Sequence, residues 1–408
     1  MSVSGGPDEL RALTRLGFSE LADAAAGIGG VQRGIASRVF RLVGPMSAPA
    51  RVGHDLVSAA VYRGLRGGTA AVGRVADNGL ARRAVREGRA LSESPRGAAA
   101  IAALNGLIGD RLEAEGSELA APMSVRIDGR PVDARAFADA RPRLVVFLHG
   151  LMETELSWRW GRREPYGARL ARDLDCTPVY VRYNTGRHVS ENGRSLAALL
   201  ADLVEEWPVP VAEIALVGHS MGGLVARAAC QCASLEGMEW VRSVRHVVSL
   251  GTPHLGAPLE QAAHRAAWAL WQLPETRPLG NFLRRRSAGI RDLNQGSLVD
   301  EDWRDRDRDA LRLAACAEVP LLEGAAHHFV SATVTRSATN PVGRLVGDVL
   351  VLVPSASGES AARRIGFRAE DGHHLGGAHH LALLNHPVVY EKLLGWLSAS
   401  PERAASAL

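Results

Sequence analysis

After Arg143 the chain is apolar without a break from Leu144 to Leu148, and runs of the same kind return at Thr177 to Arg182, Glu213 to Val217, Val244 to Leu250, Phe329 to Val334, Val349 to Val353 and Arg364 to Phe367. A strand with one face in water alternates apolar and polar residues, whereas a strand covered on both faces is apolar throughout. These runs therefore predict strands of a covered, parallel sheet. Between them, Ser195 to Trp207 and Gly223 to Cys232 carry apolar residues at helical spacing, as crossovers between parallel strands require. Alternating strand and helix gives an α/β fold, a mostly parallel sheet with helices on both faces. Just before it, Pro122 to Ile127 alternates like a strand and Asp128-Gly129-Arg130 is a turn signal.

The first part of the chain reads differently. Leu10 to Phe18, Ser19 to Val43, Gly53 to Val75, Leu80 to Leu91 and Ala98 to Leu112 have helical character and are separated by Gly, Pro or Ser. Residues 1–120 are expected to form a helical N-terminal domain or cap and residues 121–400 the α/β domain. Almost eighty residues separate Leu250 from Phe329, far more than a strand-to-helix connection needs, so a cap insertion is expected at about 256–325. Within it Leu259, Ala262, Ala263, Ala266, Leu270 and Leu273 form one stripe, with Trp268 and Trp271 pointing away from it. These indoles are expected either to pack inside the cap or to line an acyl pocket or lipid interface.

Charge and cysteine usage narrow the setting. Between residues 24 and 92 there are eleven arginines against Asp55, Asp77 and Glu87, a local excess larger than the net +4 of the whole chain. Such a face is either solvated or drawn to an anionic membrane surface, so peripheral membrane contact is an expectation. The net charge gives no reason to expect nucleic acid as a partner. Cys176, Cys230, Cys232 and Cys316 include no C-x-x-C pair and are too few for a disulfide framework. Asp8 and Glu9 stand where a secretory signal would be basic, so a cytoplasmic location is expected. The longest nearly uncharged run, Gly97 to Gly109, is shorter than the ~20 residues of a membrane helix.

Gly218-His219-Ser220-Met221-Gly222 is a G-x-S-x-G pattern, which a chain this rich in glycine would show by chance about 0.3 times. Its context makes it specific. The apolar strand Ile214 to Val217 ends at the first glycine and a helix starting at Leu224 follows the last. A sharp strand-to-helix turn holds a serine hydroxyl exposed above the sheet edge, and glycines on either side let the backbones pass. Ser220 is accordingly the expected nucleophile. A hydroxyl needs a base to take its proton and a carboxylate to orient that base, both downstream in the order acid then His.

Asp348 follows the Phe329 strand and is preceded by Gly347, which makes it the expected acid, with Asp371 as a substitute. Asp292 and Asp300 precede that strand and are discounted. Five histidines crowd the segment from Gly372 to Pro387. His380 best fits a base in the loop before the final helix, His379 is the near alternative, and His373, His374 and His386 are expected in loop or cap positions. No zinc-type spacing accompanies these histidines, so neither metal nor organic cofactor is expected. The Asp/Arg alternation from Asp300 to Asp309 lacks the glycine of a calcium loop. The strand Leu144 to Leu148 runs into His149-Gly150-Leu151-Met152, so the amides of Leu151 and Met221 are the expected oxyanion hole, with Met152 as the alternative to Leu151.

His149-Gly150, the Gly218 to Gly222 turn, Leu250-Gly251-Thr252-Pro253-His254-Leu255-Gly256-Ala257-Pro258, Gly347-Asp348 and His380 together resemble the α/β-hydrolase lipases and esterases. Arg182-Tyr183-Asn184-Thr185-Gly186, His379-His380-Leu381 and Asn385-His386-Pro387 are similar to the bacterial branch of GPI inositol-deacylase-like serine hydrolases. The resemblance covers about residues 140–400. It implies an α/β-hydrolase fold and hydrolysis of an acyl ester or lipid through an acyl-enzyme. An acyltransferase or thioesterase with the same triad, or a lipid-binding protein without turnover, are the alternatives.

Overall fold

The computed structural model describes residues 90–257, 286–307, 314–337, 347–360 and 363–399, together with residues 9, 12, 260, 261, 264 and 310. The helices expected between Leu10 and Leu80, and Trp268 with Trp271, lie outside these residues. Eight strands form one sheet: β1 (Ser124–Ile127), β2 (Arg130–Val132), β3 (Arg143–Leu148), β4 (Thr177–Arg182), β5 (Glu213–His219), β6 (Val244–Leu250), β7 (Ala326–Thr333) and β8 (Gly372–Gly376). Their order is β2-β1-β4-β3-β5-β6-β7-β8. β1 alone runs against the sheet, pairing antiparallel with β4 and with β2, to which it is joined by the turn at Asp128 and Gly129, both with positive φ. The other six strands are parallel.

The helices are α1 (Pro95–Ala114), α2 (Tyr166–Leu174), α3 (Val189–Glu205), α4 (Met221–Leu235), the short α5 (Ala288–Asp292) and α6 (Val353–Ala356), and α7 (Pro387–Ser398). The central strands β3 and β5 are buried along almost their whole length, with separate apolar layers on the two faces of the sheet. One layer packs α3 and α4 through Leu196, Leu200, Leu224 and Val225. The other packs α2 and α7 through Leu170, Val389 and Leu393. This is the arrangement that the uninterrupted apolar runs require.

After β3 the chain moves to one side to make β4, then crosses back over β3 to make β5 on the other side. The loops leaving the carboxyl ends of β3 and β5 therefore diverge and leave a crevice between them, the place where open α/β sheets bind ligands. Helix α1 lies across this edge. A Cβ on Gly106 would meet Met152 of the β3 loop and a Cβ on Gly109 would meet Asn184 of the β4 loop. The described part of the insertion is tied to the same edge, with Ser287 Oγ donating to Gly106 O and Asp292 accepting from Val189 N.

Two expected strands are not strands. Val349–Val353 curls instead, because Asp348 Oδ1 accepts from the amides of Leu350 and Val351 and Val349 takes φ 92°. A side chain that captures its own following amides competes with a ladder. Arg364–Phe367 makes only an isolated bridge, between Arg364 and Glu359. Conversely, β8 was not apparent, and His373 and His374 lie in it rather than in a loop. Its composition is poor for a strand, but a Cβ on Gly372 would fall 2.1 Å from Phe329 Cζ, so close pairing with β7 demands glycine there.

Candidate active site

Ser220 stands at the junction of β5 and α4 with φ 52° and ψ −122°. A non-glycine residue in this region costs about 1–3 kcal/mol and persists only where its surroundings impose it. The impositions are visible. A Cβ on Gly218 would lie 2.3 Å from Gly223 N, and one on Gly222 would lie 2.3 Å from Leu148 O, so the turn passes against itself and against the end of β3. Ser220 N donates to Leu250 O at 2.8 Å, pinning the turn to β6. The side chain is left partly exposed at the crevice. Met221 is the first residue of α4, so its amide is one of those that a helix N-terminus leaves without an internal partner.

Asp348 and His380 meet at the carboxyl ends of β7 and β8. His380 Nδ1 donates to Asp348 Oδ2 at 2.7 Å, both residues are buried, and His380 N donates to Asp348 O at 3.0 Å. With Nδ1 committed to the carboxylate, the basic nitrogen is Nε2, which is buried and makes no hydrogen bond among the described residues. His379, its neighbour, is exposed. The competing carboxylates are engaged elsewhere: Asp371 pairs with Arg368, Asp300 with Arg194 and Arg304, and Asp292 with His188. His386 caps α7, accepting from Val388 N.

The β3 loop is held at one peptide. Gly150 O accepts from His149 Nδ1 at 2.9 Å and from Glu153 N at 3.2 Å, while Gly150 N donates to Glu153 Oε2 at 2.9 Å. In a trans peptide the N–H points opposite to the C=O. Fixing Gly150 O therefore fixes the Leu151 N–H on the other side, where it makes no hydrogen bond among the described residues. The Met152 amide is spent on Thr185 Oγ1 at 3.2 Å. Of Leu151 and its alternative Met152, Leu151 is thus the one whose amide makes no hydrogen bond among the described residues. His149 is fully buried, and burial pushes its pKa down. Neutral, it donates through Nδ1 and accepts the Tyr183 amide at Nε2. A Cβ on Gly150 would come 3.0 Å from Ser220 Cβ, which puts this loop beside the serine.

The sequence pattern gives Glu153 no role and shows His219 only as the residue before Ser220. In the structure His219 Nδ1 lies 3.1 Å from the Glu153 carboxylate beside the site, and His219 Nε2 faces His380 O at 3.3 Å. No local pattern links residues 66 positions apart, so only the fold reveals the pair.

Among the described residues there is no group of histidine, cysteine and acidic side chains able to hold a metal ion, and no helix long and apolar enough to cross a membrane. The family model of the PGAP1-like alpha/beta domain matches residues 183–271. Similar solved structures include the mature lipase BlEst2 of Bacillus licheniformis, 20% identical over 61% of this chain and 91% of that one, TM-score 0.40. An esterase of Pyrobaculum calidifontis is 16% identical over 68% and 79%, TM-score 0.37. EstA of Clostridium botulinum is 13% identical over 64% and 88%, TM-score 0.38. No curated protein matches the chain. The sheet order and the strained serine turn give the chain the α/β-hydrolase fold, and its residues 183–271 match the PGAP1-like alpha/beta domain.

Proposed function

We propose that the protein is a serine carboxylic-ester hydrolase with Ser220 as nucleophile, His380 as base and Asp348 as its orienting acid, acting on an acyl ester or lipid. The observation that carries this reading is a buried His380–Asp348 pair with a free Nε2 at the same sheet edge as a serine held at φ 52°.

The chemistry follows from these groups. Ser220 Oγ attacks the ester carbonyl carbon as its proton passes to His380 Nε2, and the imidazolium is stabilised by Asp348. The carbonyl oxygen becomes an oxyanion, which accepts hydrogen bonds from the amides of Leu151 and Met221. Collapse of the tetrahedral intermediate expels the alcohol, which takes the proton from His380, and leaves the acyl group on Ser220. Water then repeats the sequence, giving the carboxylic acid and regenerating the serine. Two amides fixed by a backbone cost no reorganisation during the reaction, which is why they stabilise charge more than free water does.

The test is turnover of a series of acyl esters from acetyl to palmitoyl by the native chain and by Ser220→Ala. The proposal predicts hydrolysis that falls by several orders of magnitude in the variant at unchanged melting temperature. Retained turnover in Ser220→Ala would refute it. Acyl transfer to an added alcohol or thiol in preference to water would make the protein an acyltransferase with the same triad.

A further inference from the structure

Glu153 and His219 take no part in the steps just described, yet they bind the three segments those steps depend on. Glu153 leaves the β3 loop that carries the Leu151 amide, His219 immediately precedes the nucleophile, and the carbonyl of His380 belongs to the base. Both His219 nitrogens face acceptors: Nδ1 lies 3.1 Å from the Glu153 carboxylate and Nε2 3.3 Å from His380 O. A carboxylate engaged with a peptide amide and a main-chain carbonyl have no proton to give. Only an imidazolium carries two N–H donors. We propose that His219 is an imidazolium at neutral pH whose ion pair with Glu153 positions the oxyanion loop and the catalytic base together; this rests on the serine-hydrolase reading of the site.

The surroundings support a charged pair. Burial, the largest single influence, favours a neutral His219 imidazole, but the charge and hydrogen bond of Glu153, the His380 carbonyl and Asp348 together raise its pKa. Burial would raise Glu153, but His219 and the Gly150 amide bring it down to about 2. The other groups around His219 are the His380 ring, with centroids 4.7 Å apart, and the edge of Trp158. His149, the other titratable ring near Glu153, is neutral and leaves the pair as the only charges in the loop's hydrogen bonds.

Charge compensation explains why a cation is needed. One Cβ position on Gly150 would lie 3.0 Å from Ser220 Cβ and 3.1 Å from Glu153 Oε1, so the carboxylate stands close to the nucleophile's side chain. A lone carboxylate so near the nucleophile would oppose the developing oxyanion, strongly so in a site shielded from water. Paired with an imidazolium it becomes a neutral dipole. The carboxylate can then hold the Gly150 amide, and with it the Leu151 N–H, without an electrostatic penalty to the reaction.

The pair is tested with His219→Gln, Glu153→Gln and the double variant, and with 15N-histidine NMR of the full chain. His219 should have both nitrogens protonated at pH 7 in the native protein and should lose that signature in Glu153→Gln. In His219→Gln the carboxylate is left uncompensated, so kcat should fall about 10- to 100-fold with KM nearly unchanged. The double variant removes both charges and should recover a large part of that loss. An alkaline loss of kcat set by the His219 proton should be absent in Glu153→Gln, where no carboxylate is left uncompensated. A merely structural pair would make the double variant no faster than His219→Gln. That result, or a neutral His219 at pH 7 in the native chain, overturns the proposal. Absence of acylation at Ser220 in the native chain would instead refute the hydrolase reading, and the NMR signature would still decide the charge of His219.

Discussion

Acid should unfold this protein through three histidines far from the catalytic edge. His246, His327 and His328 sit near the amino ends of β6 and β7, all buried, with His246 stacked on His328 and His328 on Trp396. Burial drives each from the ordinary 6.5 down to about 4. Asp371, 3.8 Å from His328 Nδ1, pulls the other way without reversing it. Between pH 4 and 6.5 the unfolded chain binds more protons at these sites than the folded one, so their contribution is complete above pH 6.5 and is lost as pH falls toward 4. At pH 5 the linkage amounts to about 2 kcal/mol for each histidine. Three together remove a large part of the ~5–15 kcal/mol that holds a typical domain folded. In His328→Phe the ring keeps its stack on Trp396 and cannot titrate. Its stability difference between pH 8 and pH 5 should shrink by about 2 kcal/mol, on the order of 5 °C in melting temperature. Thermal melts of both proteins at the two pH values measure this. An unchanged pH dependence in His328→Phe would refute the reasoning.

The parts of this molecule legible in its sequence are those set by local pattern. Runs such as Arg143–Leu148, Thr177–Arg182 and Val244–Leu250 are strands over just those residues, because burial on both faces favours apolar side chains along most of each run. The Ser220 turn was equally legible, since its glycines answer to contacts within the turn and with the adjacent strand. What failed depended on distant partners. Gly372–Gly376 is a strand because it pairs with β7, where the Phe329 ring packs against Gly372, and Val349–Val353 is not one because Asp348 takes its amides. Glu153 was invisible for the same reason, its partner lying on another strand.

Further outcomes follow from individual contacts. Gly222→Ala places a methyl group against Leu148 O and should cost at least about 1–3 kcal/mol and displace the serine turn, read as loss of hydrolysis together with a lower melting temperature. Asp348→Asn and His380→Ala should each lower kcat by orders of magnitude, whereas Asp371→Asn and His379→Ala should be mild; the reverse pattern in steady-state rates would reassign acid and base. Arg182 and Glu155 form a buried bidentate pair at 2.6 Å, so Glu155→Gln, which strands the guanidinium, should cost about 3–5 kcal/mol in denaturant unfolding.

The central claim is that Ser220 is an activated nucleophile, and covalent trapping measures it most directly. Incubation of the native chain with a fluorophosphonate, followed by peptide mass mapping, should give one adduct, located on Ser220. Asp348→Asn should slow its formation, and Ser220→Ala should abolish it without altering the melting temperature. An unmodified Ser220 in the folded native protein, or undiminished labelling in Ser220→Ala, would contradict the account.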